Sequence, residues 1–590
     1  MIRIDTKDPA YVNEFSRVLL EDFYLKPGET IPQALARPAV AFCGGDLELA
    51  QRIYDYVYNG WFMYASPVLS NAPHGRWLGN VFERTGKSYG MPISCFAFHV
   101  PDTAQGQVDV LQELADLSMA GGGTGAHLGI RAVGGKAVGP IPYEKVIDSV
   151  IGYFRQPERR GAICSYLNVD HPDIVEHIRF RKPGGDPKRR SDNRQQFHTG
   201  GNLTDKFIEA VLRGTDYDLT CPHSGEVRET LPARKVWEEI LETRGLTGEP
   251  MLLKIDQANR KMPETQKALG LTINGSNLCS EITLPTNDER TFVCCLSSLN
   301  LEKFEEWKDT RIVEDLITFL DNVIQYFIDN APDSLAKAKY SAERERALGL
   351  GTLGWHGYLQ SKDIAFESGG FNSAVSHSHS LYKLIKSRAV AQSRVLATER
   401  GEPEDMKGTG LRNSRLMAIA PNANSADILG ASPSIEPYFR NSFLKSTRAG
   451  NFKVRNRHLE AKLTGYGMNT DEVWESIEAH GGTVDHLDRL TDHDKLVYKV
   501  AMEIDQHWVI ELAEVRGPHI CQAQSLNTFW PFGSSRQYVN SVHIKWLKAK
   551  NVDTLYYFRT EREGNSDNAK KIERKALVDW STEECVSCSG

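Results

Sequence analysis

The chain has 590 residues and a mass of 66.1 kDa, with 40% hydrophobic residues, 25% charged residues and ten cysteines, ordinary globular usage that excludes a disordered or fibrous chain. Lys plus Arg is 70 against 77 for Asp plus Glu, a net charge of -7, so no global basic field exists to hold a nucleic-acid polymer, although a nucleotide pocket is not excluded. Such a length divides into about three or four domains unless one large α/β barrel absorbs it.

The N-terminus, Met-Ile-Arg-Ile-Asp-Thr-Lys-Asp-Pro, has no apolar stretch of signal-peptide length. No segment approaches the roughly 18 apolar residues that span a bilayer. A cytoplasmic protein without a membrane partner is expected, and its cysteines are then thiols, each an inert small hydrophobe or a reactive group.

Taken in order, Ser94-Cys95-Phe96-Ala97-Phe98 opens an apolar run through Val100 that reads as a strand beginning on a cysteine. A helical period follows at Val108, Leu111, Leu114 and Leu117. Residues 119–125, Met-Ala-Gly-Gly-Gly-Thr-Gly, lack the Gly-Lys-Ser/Thr of a phosphate-binding loop and predict a helix stop with a close backbone approach. Val146, Ile147, Val150 and Ile151 predict a second helix. Residues 179–194 then gather seven basic residues around Pro and Gly, either a mobile phosphate-meeting loop or a solvated charge run.

Residues 278–284 and 292–299 read as buried strands. In an extended Asn277-Leu278-Cys279-Ser280-Glu281, alternate side chains share a face, so an amide, a thiol and a carboxylate would converge. Each alone reads as a satisfied core group; together they read as a site. Downstream, Cys294-Cys295 sits in the next strand, and Leu316, Ile317, Leu320, Val323, Ile324 and Phe327 predict a buried helix. Strand and helix alternate, which predicts an α/β fold.

The last stretch, 561–584, is charged and small and predicts a flexible tail ending in Cys585-Val586-Ser587-Cys588. A CxxC pair serves thiol exchange or half of a zinc site; no second ligand pair of matching spacing accompanies it, so redox exchange is the reading preferred. An arm of this length reaches about 25 to 30 Å, enough to enter a pocket of its own protein.

Taken together, Asn277-Leu278-Cys279-Ser280-Glu281, Cys294-Cys295-Leu296-Ser297-Ser298-Leu299-Asn300, Ser94-Cys95, Thr554-Leu555-Tyr556-Tyr557 and the two-cysteine tail resemble the catalytic subunit of ribonucleotide reductase, in the same order and over nearly the whole chain. The resemblance implies a ten-stranded α/β barrel (61–560) with a central finger loop tipped by Cys279, a helical N-terminal segment (1–60) and a flexible redox tail (561–590). It implies that Cys279 carries the thiyl radical, Glu281 is the general base, Asn277 holds the ribose hydroxyls, and Cys95 with Cys294 is the reducing pair re-reduced by Cys585 and Cys588. Cys43, Cys164, Cys221, Cys295 and Cys521 are left as structural thiols.

The same resemblance assigns substrate contacts to Ser66, Ser94, Asn422, Asn424 and Ser425, with two Asn where hydroxyl or acidic residues are usual. It assigns an effector contact to Asp102, beside a loop after Arg131 that is shorter than the family's. The family's N-terminal ATP cone of about ninety residues finds no room before Ser66. Tyr556 and Tyr557 imply a class I enzyme that receives its radical from a metal-containing small subunit, with thioredoxin or glutaredoxin as electron donor, a nucleotide as substrate, and no metal or cofactor on this chain. The alternatives are a class II enzyme using adenosylcobalamin and, more distantly, a zinc-stabilised binding protein.

Overall fold

Short runs rich in β-branched and aromatic residues, covered on both faces, dominate the centre of the molecule. The computed structural model describes residues 2–73, 75–78, 81–84, 90–93, 95–154, 161–182, 196–447 and 450–560. One nine-stranded sheet contains β1 (Phe62–Tyr64), β2 (Cys95–Val100), β3 (Gly123–Leu128), β4 (Ala162–Asn168), β5 (Phe197–Leu203), β6 (Met251–Lys254), β7 (Phe292–Asn300), β8 (Leu348–Leu353) and β9 (Thr554–Leu555). Every residue of β3, β5, β6, β7, β8 and β9 is buried, as expected of a mainly parallel sheet clothed by crossover helices.

Strands β2 to β6 run parallel in sequence order. Strand β7 pairs antiparallel with β2, β9 antiparallel with β6, and β8 parallel with β7. Two extended segments carry the hydrogen bonding onward: Leu348 N donates to Arg415 O and Leu350 N to Leu416 O, Ser525 N donates to Ile419 O at 2.8 Å, and Tyr556 N donates to Leu526 O at 2.9 Å. The ring β8, 415–420, 522–526, β9, β6, β5, β4, β3, β2, β7 therefore closes as a barrel of ten extended segments in two antiparallel halves, the α/β barrel that the resemblance implied. Closure removes the exposed edges an open sheet would carry.

Helices pack outside. Helix Ile312–Asn330 buries all six of its predicted apolar positions. In Ala104–Met119 and Pro140–Tyr153 the core face is narrower than the sequence suggested. Val110, Leu114 and Leu117 point inward while Val108 is 59% exposed, and Ile147 and Ile151 are buried while Val146 is 44% exposed. Each helix packs along one stripe, so a residue at the margin of an apolar arc is left outside.

The N-terminal helices Glu14–Phe23, Ile31–Phe42 and Leu47–Tyr58 start on side-chain caps from Asn13, Thr30 and Asp46. They are fixed to the barrel by Arg52, whose Nε and Nη2 meet the Asp315 carboxylate at 2.7 and 3.0 Å, and by Tyr56 Oη at 2.9 Å from the same group. Among the described residues, no helix is long and apolar enough to cross a membrane. At the start of the basic run, Arg179 and Lys182 both pair with Glu239, which favours a charged surface there. Residues 183–194, Ser94 and the whole of 561–590, with Cys585 and Cys588, lie outside the described residues.

Candidate active site

The segment expected to be a strand at 278–284 is instead a loop threaded through the barrel. Ser280 has φ of 65° and its N–H donates to Asn277 O at 3.3 Å, a tight turn that breaks strand alternation. Its apolar residues are buried because they fill the barrel's centre, not because they join a sheet. The loop crosses β3 at Gly125, where a Cβ would lie 1.9 Å from Ser276 O, so only glycine admits the crossing. This is the close backbone approach expected of residues 119–125.

Polar partners fix the loop along its length. Asn202 Nδ2 donates to Asn274 O at 2.7 Å and Ser276 Oγ to Ile282 O at 2.7 Å. Ile282 N donates to Asn277 Oδ1 at 3.1 Å. At the turn, Tyr166 Oη of β4 donates to Asn277 O at 2.9 Å and shares a 2.8 Å bond with Ser280 Oγ. On the other side Ser525 Oγ lies 2.5 Å from Cys279 O and 3.1 Å from Glu281 Oε2.

Asn277 and Glu281 meet at a third residue, Cys95. Asn277 Nδ2 is 3.3 Å from Cys95 Sγ, which is 3.5 Å from Glu281 Oε1. Burial pushes the Glu281 carboxyl up to about 6, against hydrogen bonds from its own backbone, Asn277, Ser525 and Cys95 that favour the charged form. Asn277 and Glu281 converge as strand alternation anticipated, but a turn brings them together, and the thiol they meet is Cys95 instead of Cys279, which the turn directs toward Tyr556. Cys95 and Cys294 are direct partners in the β2/β7 register, where Cβ atoms lie about 4.5–5.5 Å apart, within reach of a disulfide after small adjustment. Burial holds the Cys294 thiol well above the usual range, so it is protonated. The next residue points out of the barrel: Cys295 Sγ contacts Leu320 O of helix Ile312–Asn330 at 3.4 Å.

Cys279 faces the last strand. Tyr556 Oη lies 3.5 Å from Cys279 Sγ, and the Tyr556 and Tyr557 rings are 4.1 Å apart between centroids, tilted by 46°. Arg244 Nη2 holds Tyr556 O at 3.1 Å, and Asn527 Oδ1 accepts from Tyr557 N at 3.0 Å. The tyrosines and Cys279 thus form one continuous contact.

Ser66, Asn424 and Ser425 gather at one end of β7, whose Ser298 is four residues, about 13 Å, from Cys294. Tyr24 Oη bonds Ser66 Oγ at 2.8 Å and accepts from Asn424 Nδ2 at 3.3 Å. Ser425 Oγ donates to Tyr64 O at 3.4 Å. Asn422, at φ of 57°, accepts from Ser298 Oγ at 2.9 Å and spends its amide N–H groups on Thr352 O and Ala420 O.

The ribonucleotide reductase barrel domain matches residues 93–409 and 403–558, and the ribonucleotide reductase all-alpha domain matches residues 12–76. The chain belongs to the ribonucleotide reductase family. A protein of Frog virus 3 is 43% identical over 97% of both chains, and the ribonucleoside-diphosphate reductase large subunit of Invertebrate iridescent virus 3 is 37% identical over the full length of both. The class Id ribonucleotide reductase alpha subunit of Actinobacillus ureae superposes with a TM-score of 0.81 at 34% identity, covering 96% of this chain and 99% of that one. The chain is a class I-like ribonucleotide reductase large subunit.

In this reductase Asp102 stands apart from the barrel centre. Its carboxylate accepts from Arg131 N and Nε at 3.1 and 2.7 Å and lies 3.1 Å from His223 Nδ1. Sequence reasoning missed the residues that hold the site in place: Tyr24, Tyr166, Arg244, Ser525 and Gln522, whose Nε2 lies 3.6 Å from Cys294 Sγ. The one local signal was the polar run Gln522, Gln524, Ser525, Asn527 in an apolar stretch; the others are single polar side chains with no sequence neighbour to mark them.

Proposed function

We propose that this chain reduces ribonucleoside diphosphates to 2'-deoxyribonucleotides by thiyl-radical chemistry. The observation that carries the reading is the cross-strand register of Cys95 with Cys294, capped by Asn277 and Glu281 of the loop that bears Cys279. Cys279, as a thiyl radical, takes the 3' hydrogen atom. Glu281 takes the 3'-OH proton, and a carboxyl held near 6 ionises and reprotonates at working pH. Cys95 and Cys294 supply two hydrogens: the 2'-OH leaves as water, C2' becomes CH2, and the two sulfurs join. Cys279 returns its hydrogen to C3'. One ribonucleotide and two thiols thus become one deoxyribonucleotide, one water and one disulfide.

The radical enters from a separate small subunit through Tyr557 and Tyr556, supported by the 3.5 Å contact with Cys279 Sγ. The disulfide is reduced by Cys585 and Cys588, which thioredoxin or glutaredoxin recharges. Ser66, Ser94, Asn424 and Ser425 receive the substrate phosphates, and Asp102 faces the effector nucleotide. Asn422, its amide committed to Ser298, Thr352 and Ala420, shapes the turn that presents Asn424 and Ser425.

The test is turnover of CDP by the purified chain with a radical-loaded small subunit and no external reductant. One to two dCDP per chain and a Cys95–Cys294 disulfide in peptide maps are expected. Product formation with adenosylcobalamin alone, or unchanged turnover in Cys279→Ser, would defeat the reading.

A further inference from the structure

Among the thiols left as structural by sequence, Cys521 is set apart by its surroundings. It is partly exposed at the end of the turn Gly517–His519. Its Sγ accepts backbone N–H groups from both Leu416 and Met417 at 3.2 Å, and lies 3.6 Å from Met417 O, where its proton would go. Beside it Arg415, only 3% exposed, has Nε and Nη2 buried without an acceptor. A buried guanidinium with idle donors demands negative charge nearby. Burial lowers the Arg415 guanidinium from its usual value, and Cys521, Glu345 and Asp553 are the groups that act against it.

Burial alone would raise the Cys521 thiol. Lys386 of helix Ala374–Arg400, Arg415 and the two backbone donors outweigh it and bring it down to about 7. The cations on this side are lysines: burial, with His379, Lys383 and Lys386, holds the His519 imidazole below its usual value and so neutral, its Nε2 3.3 Å from His379 Nδ1.

We propose that Cys521 is a thiolate modification site that takes a small acidic disulfide. The thiolate attacks one sulfur of the disulfide, the new S–S bond forms as the old one breaks, and the other half departs as a thiolate. The bound half keeps its carboxylates against Lys386 and Lys383. The adduct is coupled to the barrel centre, because the next residue, Gln522, has Nε2 3.6 Å from Cys294 Sγ and accepts from Thr283 N at 3.2 Å. The adduct would displace the Leu416 and Met417 contacts and pull Gln522 away from Cys294. This coupling rests on the reductase reading; the adduct chemistry does not.

The experiment treats the full chain at pH 7.2 with oxidised glutathione or with the dicationic disulfide cystamine, and follows the Cys521 peptide by mass spectrometry. The glutathione adduct is expected to form at least about tenfold faster than the cystamine adduct, to slow several-fold in Lys386→Gln, and to be absent in Cys521→Ser. Alkylation of Cys521 by iodoacetamide should reach half its maximal rate near pH 7. A Cys521 that reacts only in urea, or reacts equally with both disulfides, would overturn the site. The adduct should also lower turnover, with recovery on adding dithiothreitol; full turnover with the adduct in place would overturn the coupling to Cys294.

Discussion

A carboxylate and two adjacent cysteines show how far the role of one atom depends on its surroundings. Glu281 is buried, and its folded carboxyl is raised to about 6. A raised carboxyl contributes most to stability when protonated, and that contribution is lost as pH rises through about 6. The ionised form needed for proton abstraction is therefore held at a cost. Activity should fall as pH drops below about 6, and Glu281→Gln should be inactive at every pH while melting no lower than the parent chain at pH 8. A substantially lower melting temperature for Glu281→Gln would mean that the carboxylate is a structural anchor. The neighbouring thiols separate in the same way. Cys294→Ser should abolish the single-turnover disulfide with Cys95, whereas Cys295→Ser, whose sulfur touches Leu320 O in the helical layer, should retain the disulfide and lose only stability. Retention of the disulfide in Cys294→Ser, checked by peptide mapping, would assign the partner wrongly.

The finger loop is the element on which these residues depend, and it is held by backbone contacts that no apolar pattern encodes. Gly125→Ala would force a Cβ to within 1.9 Å of Ser276 O, so loop or strand must move; a fall in kcat of at least about tenfold is expected, given how steeply rate depends on positioning. Tyr166→Phe removes the donor to buried Asn277 O, and should cost about 1 to 3 kcal/mol in urea unfolding. The strands around Cys95 and Cys294 and the buried helix at 316–327 were legible in the sequence because β-branched runs and helical periods record burial directly. The loop was read as a strand because its apolar content has the same origin, burial, without the hydrogen-bonding partners of a strand. Tyr166 was not legible at all, since it acts across more than a hundred residues of chain on a backbone group, and Ser525 showed only as one member of a polar run with nothing to say what it holds.

At the scale of the whole molecule, the N-terminal helical segment does more than cover the barrel. Arg37 is fully buried; its Nη2 donates to Tyr24 O at 3.0 Å, its Nη1 to Leu69 O at 2.9 Å, and its Nε meets Glu29 at 2.9 Å. It thereby fixes Tyr24 against the helix Ser66–Ser70, and Tyr24 Oη joins Ser66 to Asn424, which are far apart in the chain. The proposed phosphate cradle is therefore assembled only when the helical segment docks, through Arg52 and Tyr56 on Asp315. Tyr24→Phe keeps the ring and removes the hydroxyl that orients both partners. Its KM for CDP should rise about five- to tenfold, the equivalent of roughly 1 to 1.4 kcal/mol for one hydrogen bond, with kcat nearly unchanged because the radical path from Tyr557 to Cys279 lies elsewhere. A loss of kcat at constant KM in steady-state assays would place Tyr24 in the chemistry instead of the cradle. Asp315→Asn, which loosens the docking without touching the cradle, should raise KM in the same direction and lower the melting temperature, a pair of effects that separates docking from direct contact.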